Sequence, residues 1–136
     1  MRGCAGAQEG EFFAQRPSIA MRSNYRDLDA YRLAAAVGDE VFAATSRWPS
    51  YVRWSIGLQL VRAADSVGAN IAEAAGRWHR QDQRRFLLIA RGSLYETEHW
   101  IARAAARGLV NPEDWDGRLA RTAAALSALT KNWPRS

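Results

Sequence analysis

Five polar side chains, Gln59, Arg62, Ser66, Asn70 and Glu73, recur at steps of three and four residues through an otherwise apolar run. That spacing sets them on one face of a single helix, with Leu58, Val61, Val67, Ile71 and Ala72 beside them. A second run, Arg85 to Glu96, sets Arg85, Ser93 and Glu96 among Phe86, Leu87, Ile89 and Leu94. Glu73 and Glu96 could form the carboxylate pair that acid–base chemistry requires. No nucleophile, oxyanion hole or substrate pocket accompanies them. Metal chemistry meets the same obstacle. Di-iron bundles need Glu-x-x-His on two helices; Glu96 to His99 supplies one, and the other helix has no counterpart. His79 and His99 do not have the spacing of a helical metal pair. The chain is therefore expected to be no enzyme and to carry no metal or cofactor.

The elements that hold these residues are all helical. The first helix is expected over about 27–47, with Asp27 as N-cap and Leu28, Tyr31, Ala35, Phe42 and Thr45 along its inner stripe. Trp48-Pro49-Ser50 ends it, and Ser50 caps a second helix over 51–78. After a short polar link, a third helix runs over 82–107 with Leu87, Ala90, Leu94, Thr97 and Ile101 inward, and stops at Gly108. Asn111-Pro112-Glu113-Asp114 starts the fourth, over 112–133, with Trp115, Leu119, Leu126, Leu129 and Trp133 on one face. No alternating pattern of strand length occurs. Short links join neighbours, so the expected fold is an all-α, antiparallel up-down-up-down four-helix bundle over residues 25–133.

A chain of 136 residues, 48% of them hydrophobic, is long enough for one real core. Its net charge is +5, and all but one of its 19 basic residues are arginine, Lys131 being the exception. Arginine suits bidentate contact with phosphate, although a GC-rich genome produces the same bias. Cys4 is the only cysteine, so neither an internal disulfide nor a cysteine-based metal site can form, which suits a reducing cytoplasm. Residues 1–24 are polar and contain glycine and Pro17. They lack the apolar run of a signal peptide and are expected to be a disordered extension. No segment is long and apolar enough to span a membrane.

The runs QLVRAADSVGANIAEAAGR (Gln59–Arg77) and RFLLIARGSLYE (Arg85–Glu96), with YRDLDAYRLA at the start of the first helix, are shared features. They resemble the signature segments of the bacterial four-helix-bundle family, also called the 23S rRNA intervening-sequence protein family. Two positions depart from that pattern: Ala74 replaces a customary glycine, and Gly68 falls where proline or another small residue is common. Both suggest a local adjustment of the helix near Asn70. The resemblance implies a homo-oligomer, a ring and often a pentamer. A related fold serves as the basic accessory protein of diversity-generating retroelements, beside a reverse transcriptase and nucleic acid.

If the second and third helices pair about a turn near residue 80, Arg62 comes near Glu96 or Glu98, Ser66 near Ser93, and Glu73 near Arg85. The polar stripe then reads as a structural seam that fixes helix register, each charge partnered to offset its desolvation. Arg62→Ala alone would destabilise such a seam. The turn itself gathers Arg77, Trp78, His79, Arg80, Arg84 and Arg85 around one acid, Asp82. It is the strongest anion-binding candidate: arginine for phosphates, Trp78 to stack a base, and a helix N-terminus adding its dipoles. The alternative is a solvated turn whose Trp78 covers the end of the core. Six tryptophans exceed what one small core readily holds, and Trp54 and Trp100, placed outward, suit protein contacts and self-association. These features point to a non-enzymatic, oligomeric helical scaffold that contacts RNA or DNA through the arginine-rich turn. The alternative is an accessory subunit of a nucleic-acid enzyme such as a reverse transcriptase.

Overall fold

The structure, a computed structural model, describes residues 24–133. The expected disordered extension over 1–24 therefore lies, but for Asn24, outside the described residues. A 3₁₀ turn, Tyr25–Asp27, leads into α1, Asp29–Thr45. Helix α2 comprises Ser50–Val52, a π-helical stretch at Arg53–Gly57, and Leu58–Gly76. α3 spans Arg80–Ala106 and α4 spans Glu113–Lys131, and no strand occurs among the described residues. Each helix packs on its neighbours in sequence and α4 closes on α1, which gives an antiparallel four-helix bundle. The α2–α3 pairing is the most extensive, and α4 has the thinnest contacts.

Helix ends follow local chemistry, though not always through the expected residue. Asp27 does not cap α1. It belongs to the 3₁₀ turn, Leu28 takes the cap position, and Asp29 sits in the first turn with Arg32 Nη2 at 2.6 Å. Ser50 is the first residue of α2 and Pro49 stands at its cap, without a capping hydrogen bond. At the start of α4, Asn111 Oδ1 accepts from the backbone N–H of Glu113 at 3.2 Å. Gly108 ends α3 with φ +74°, which lets the N–H of Leu109 reach the carbonyl of Ala104 at 2.9 Å.

Small residues decide how α1 and α2 meet. The inner stripe of α1 is Ala30, Ala34, Val37, Val41 and Thr45, whereas Phe42, expected inside, is 65% exposed. Tyr31 and Leu28 pack only at the core's margin. A Cβ added at Gly38 would lie 2.8 Å from Asp65 Oδ1, and one at Gly68 would lie 3.6 Å from the Tyr31 ring. A side chain at position 38 would have to displace the Asp65 carboxyl, so α1 meets α2 here through glycine. The carboxyl of Asp65 is pushed above its ordinary value of 3.8, first by burial and then by the charge of Asp39. Its protonation favours the folded chain, so this contribution to stability is lost as pH rises through that window.

Helix α2 stays regular from Leu58 to Gly76, so the adjustment expected near Asn70 does not occur. Ala74 is fully buried there. The departure lies a few turns earlier, at Arg53–Gly57. Ser55 Oγ donates to the carbonyls of Tyr51 at 2.6 Å and Val52 at 3.2 Å, while Gly57 packs without a side chain against Val52 O. At Gly68 an added methyl would meet Tyr31 and Ala34 at 3.6 and 3.9 Å, ordinary contact distances. Gly68→Ala is thus expected to stabilise the chain by about 1 kcal/mol. A urea midpoint lower than that of the parent chain would contradict this.

The core is built on Leu60, Val67, Ile71, Leu87, Leu94 and Leu126, all at most 2% exposed. Thr97 and Thr122 are buried with them, their hydroxyls donating at 2.8 Å to the carbonyls of Ser93 and Arg118.

Candidate nucleic-acid interface

The polar stripe forms only in its middle. Ser66 Oγ and Ser93 Oγ meet across α2 and α3 at 2.9 Å, and Asn70 Nδ2 donates to Ser66 O at 2.8 Å and to Ser66 Oγ at 2.9 Å. Gln59, Arg62, Glu73 and Glu96 are exposed. Among the described residues Arg62 forms no ion pair with Glu96 or Glu98. Glu73 pairs with Arg77 at 2.7 Å, one turn along its own helix, rather than with Arg85, which lies 3.8 Å from Asp82. The expected network of partnered charges thus reduces to three uncharged side chains. Long charged side chains at this face reach water or a neighbour on the same helix at less cost than a buried pair across helices. Arg62→Ala is accordingly expected to be close to neutral in a urea titration, a correction to the sequence reading.

The arginine-rich turn is organised by a residue that its own charges conceal. Gln83 is 3% exposed. Its Nε2 donates to the carbonyl of Arg77 at 2.8 Å, and its Oε1 accepts from the indole Nε1 of Trp133 at 2.9 Å. One amide therefore ties the end of α2, the first turn of α3 and the chain beyond α4. The signal was present in sequence: Gln83 extends the apolar stripe of Leu87, Ala90 and Leu94 back by one helical turn.

Around this latch the six candidate residues divide between two flanks. On one, the guanidiniums of Arg77 and Arg85 lie 4.6 and 4.9 Å from the centroid of the Phe86 ring. On the other, Arg80 and Arg84 join Thr130, Lys131 and Trp133 around a cleft of about 220 Å³. Among the described residues no carboxylate lines that cleft, and Arg80 Nη2 is buried without a hydrogen-bond partner. Trp78 and His79 are exposed at the turn. Lys131 and Trp133 arrive from the far end of the chain, and their proximity to the turn was not anticipated.

Among the described residues no three His, Cys, Asp or Glu side chains come together as metal ligands. The ring of His99 lies edge-on to Trp100 at 4.7 Å. Trp100, expected outward, is half-buried against the core with Trp48, whereas Trp54 is 66% exposed. No helix among the described residues is long and apolar enough to cross a membrane.

Fold and surface thus define a basic four-helix bundle whose one end collects arginines. The chain belongs to the 23S rRNA-intervening sequence protein family, whose profile matches residues 26–131. A comparison with curated proteins finds none that matches.

Proposed function

We propose that the chain works in the cytoplasm as a non-enzymatic, self-associating helical bundle that holds RNA or DNA at its arginine-rich end. The observation that carries this reading is the cleft beside the α2–α3 turn, where Arg80, Arg84 and Lys131 converge with no carboxylate among the described residues. Guanidinium groups in that setting suit phosphate oxygens, and Trp78 stands at the same turn. Self-association is supported by apolar surface that a single copy leaves in water, with Phe42, Tyr51 and Trp54 at 65%, 80% and 66% exposure.

Affinity for a short fluorescein-labelled RNA, and for the matching DNA duplex, measured across salt concentrations tests the binding. A phosphate-driven complex weakens as salt rises, and removing two cationic contacts flattens the log–log slope by about 1.5. Arg80→Ala with Arg84→Ala is expected to give that change, and exposed Arg84→Ala alone about half of it. Binding that ignores salt, or no binding at all, would remove the reading.

A further inference from the structure

Opposite sides of the bundle carry opposite charge around exposed apolar side chains. Because α1 and α3 both pack on α2, and α4 closes between α3 and α1, the α1–α2 side lies across the bundle from the α3–α4 side. On the first, Asp65 stands beside Gly38 where α1 meets α2, close enough to Asp39 for the two charges to oppose each other. Neither carboxylate has an ion pair among the described residues. Phe42 lies one turn beyond Gly38 on α1, Trp54 stands about three turns from Asp65 along α2, and both are largely in water. On the second side, the groove between α3 and α4 has a volume of about 610 Å³. Arg84, Arg91 and Lys131 line it with exposed Leu88 and Tyr95, and among the described residues no carboxylate does. The Arg91 guanidinium rests 5.3 Å from the centroid of the Tyr95 ring and donates to its hydroxyl at 3.0 Å. The two sides also agree in height. Ser66 and Ser93 meet across α2 and α3, so Asp65 and Arg91 stand within one helical turn of the same level.

We propose that the α1–α2 side of one copy docks on the α3–α4 groove of the next, so that copies join head to tail. The inference rests on the reading that the protein self-associates and names the two surfaces involved. A second copy fits the groove because the sides are complementary. One presents two carboxylates without cations, the other three cations without a carboxylate, and both present apolar side chains. A rotation about an axis parallel to the helices keeps every residue at its own height. Arg91 then arrives at Asp39 and Asp65 of the neighbour. Tyr95, one turn above Arg91, arrives at Phe42, one turn above the acidic pair. Contact between two different surfaces is heterologous, and the tilt between them sets how many copies close the circle. One partner cannot fill both sides, so closure takes three copies or more, in keeping with the ring that the sequence resemblance implies.

Light scattering of the full chain across micromolar concentrations tests the proposal, with circular dichroism confirming that every variant is folded. The parent chain is expected to have the mass of three or more copies. Phe42→Ser with Trp54→Ser breaks the first side, and Leu88→Ser with Arg91→Glu breaks the second. Either pair is expected to weaken association roughly ten-fold or more and to shift the chain to monomer. The decisive sample is an equimolar mixture of the two variants. Each offers the side that the other has lost, so a complex of two chains and no larger is expected. A single self-complementary face would respond to one pair of substitutions and ignore the other, which would overturn the proposal while leaving self-association intact. A parent chain that stops at two copies would do the same. A monomeric parent chain would overturn both.

Discussion

Gln83→Ala is expected to lower the stability of the chain by about 3 kcal/mol, because it strands two buried polar groups at once. The carbonyl of Arg77 loses the amide donor at 2.8 Å, and the indole N–H of Trp133 loses its acceptor at 2.9 Å. Each buried group left without a partner costs about 1–3 kcal/mol, and the shortened side chain adds a packing loss. Trp133→Phe removes only the second bond and is expected to have the smaller effect, about 1–2 kcal/mol. The double variant should be less destabilised than the two losses added together, since both act on one bond. Urea titration with a common slope measures all three. A Gln83→Ala midpoint indistinguishable from that of the parent chain would show that the latch contributes nothing.

Leu126→Ala is expected to cost about 3 kcal/mol, with the loss concentrated in α4. Leu126 is 2% exposed, and α4 packs less extensively on its two neighbours than any other helix of the bundle. Its anchors are Trp115, Leu119, Leu126 and Trp133, with the buried Thr122 between them. Removing one of so few leaves α4 to open ahead of the α2–α3 pair. Hydrogen exchange on the variant should show amides of 116–130 losing protection while those of Leu60–Ile71 and Leu87–Leu94 retain it. Uniform loss of protection through all four helices would indicate a single cooperative unit instead.

What could be read from the residues depended on how far each signal reached along the chain. In α3, Leu87, Ala90, Leu94, Thr97 and Ile101 recur at steps of three and four residues, and all five are buried. In α1 the inner positions are Ala30, Ala34 and Gly38, inconspicuous in an alanine-rich helix, while Phe42 offered a stronger but misleading apolar signal. Only the closeness of α2 decides between them, and that closeness is a property of two helices together. Only the middle of the polar stripe forms, and its Ser66–Ser93 contact follows from counting back from the turn. Its charges were misplaced because Glu73 reaches Arg77 along its own helix before anything across the bundle. Gln83 and Trp133 are separated by 50 residues, and no local pattern links them. The π-helical stretch had a local cause in Ser55, whose hydroxyl competes for backbone carbonyls one turn back.

The Phe86 ring has a consequence for the energetics of the turn. Two guanidiniums already rest within 4.9 Å of its centre, one from the end of α2 and one from the first turns of α3. A free arginine side chain gives up about 2 kcal/mol of rotamer entropy when it is held in one arrangement. For Arg77 and Arg85 part of that loss is incurred when the chain folds, against an aromatic face and with Glu73 and Asp82 nearby. Any anion brought to this flank would meet guanidiniums whose freedom is already restricted, with Glu73 and Asp82 as competitors for them.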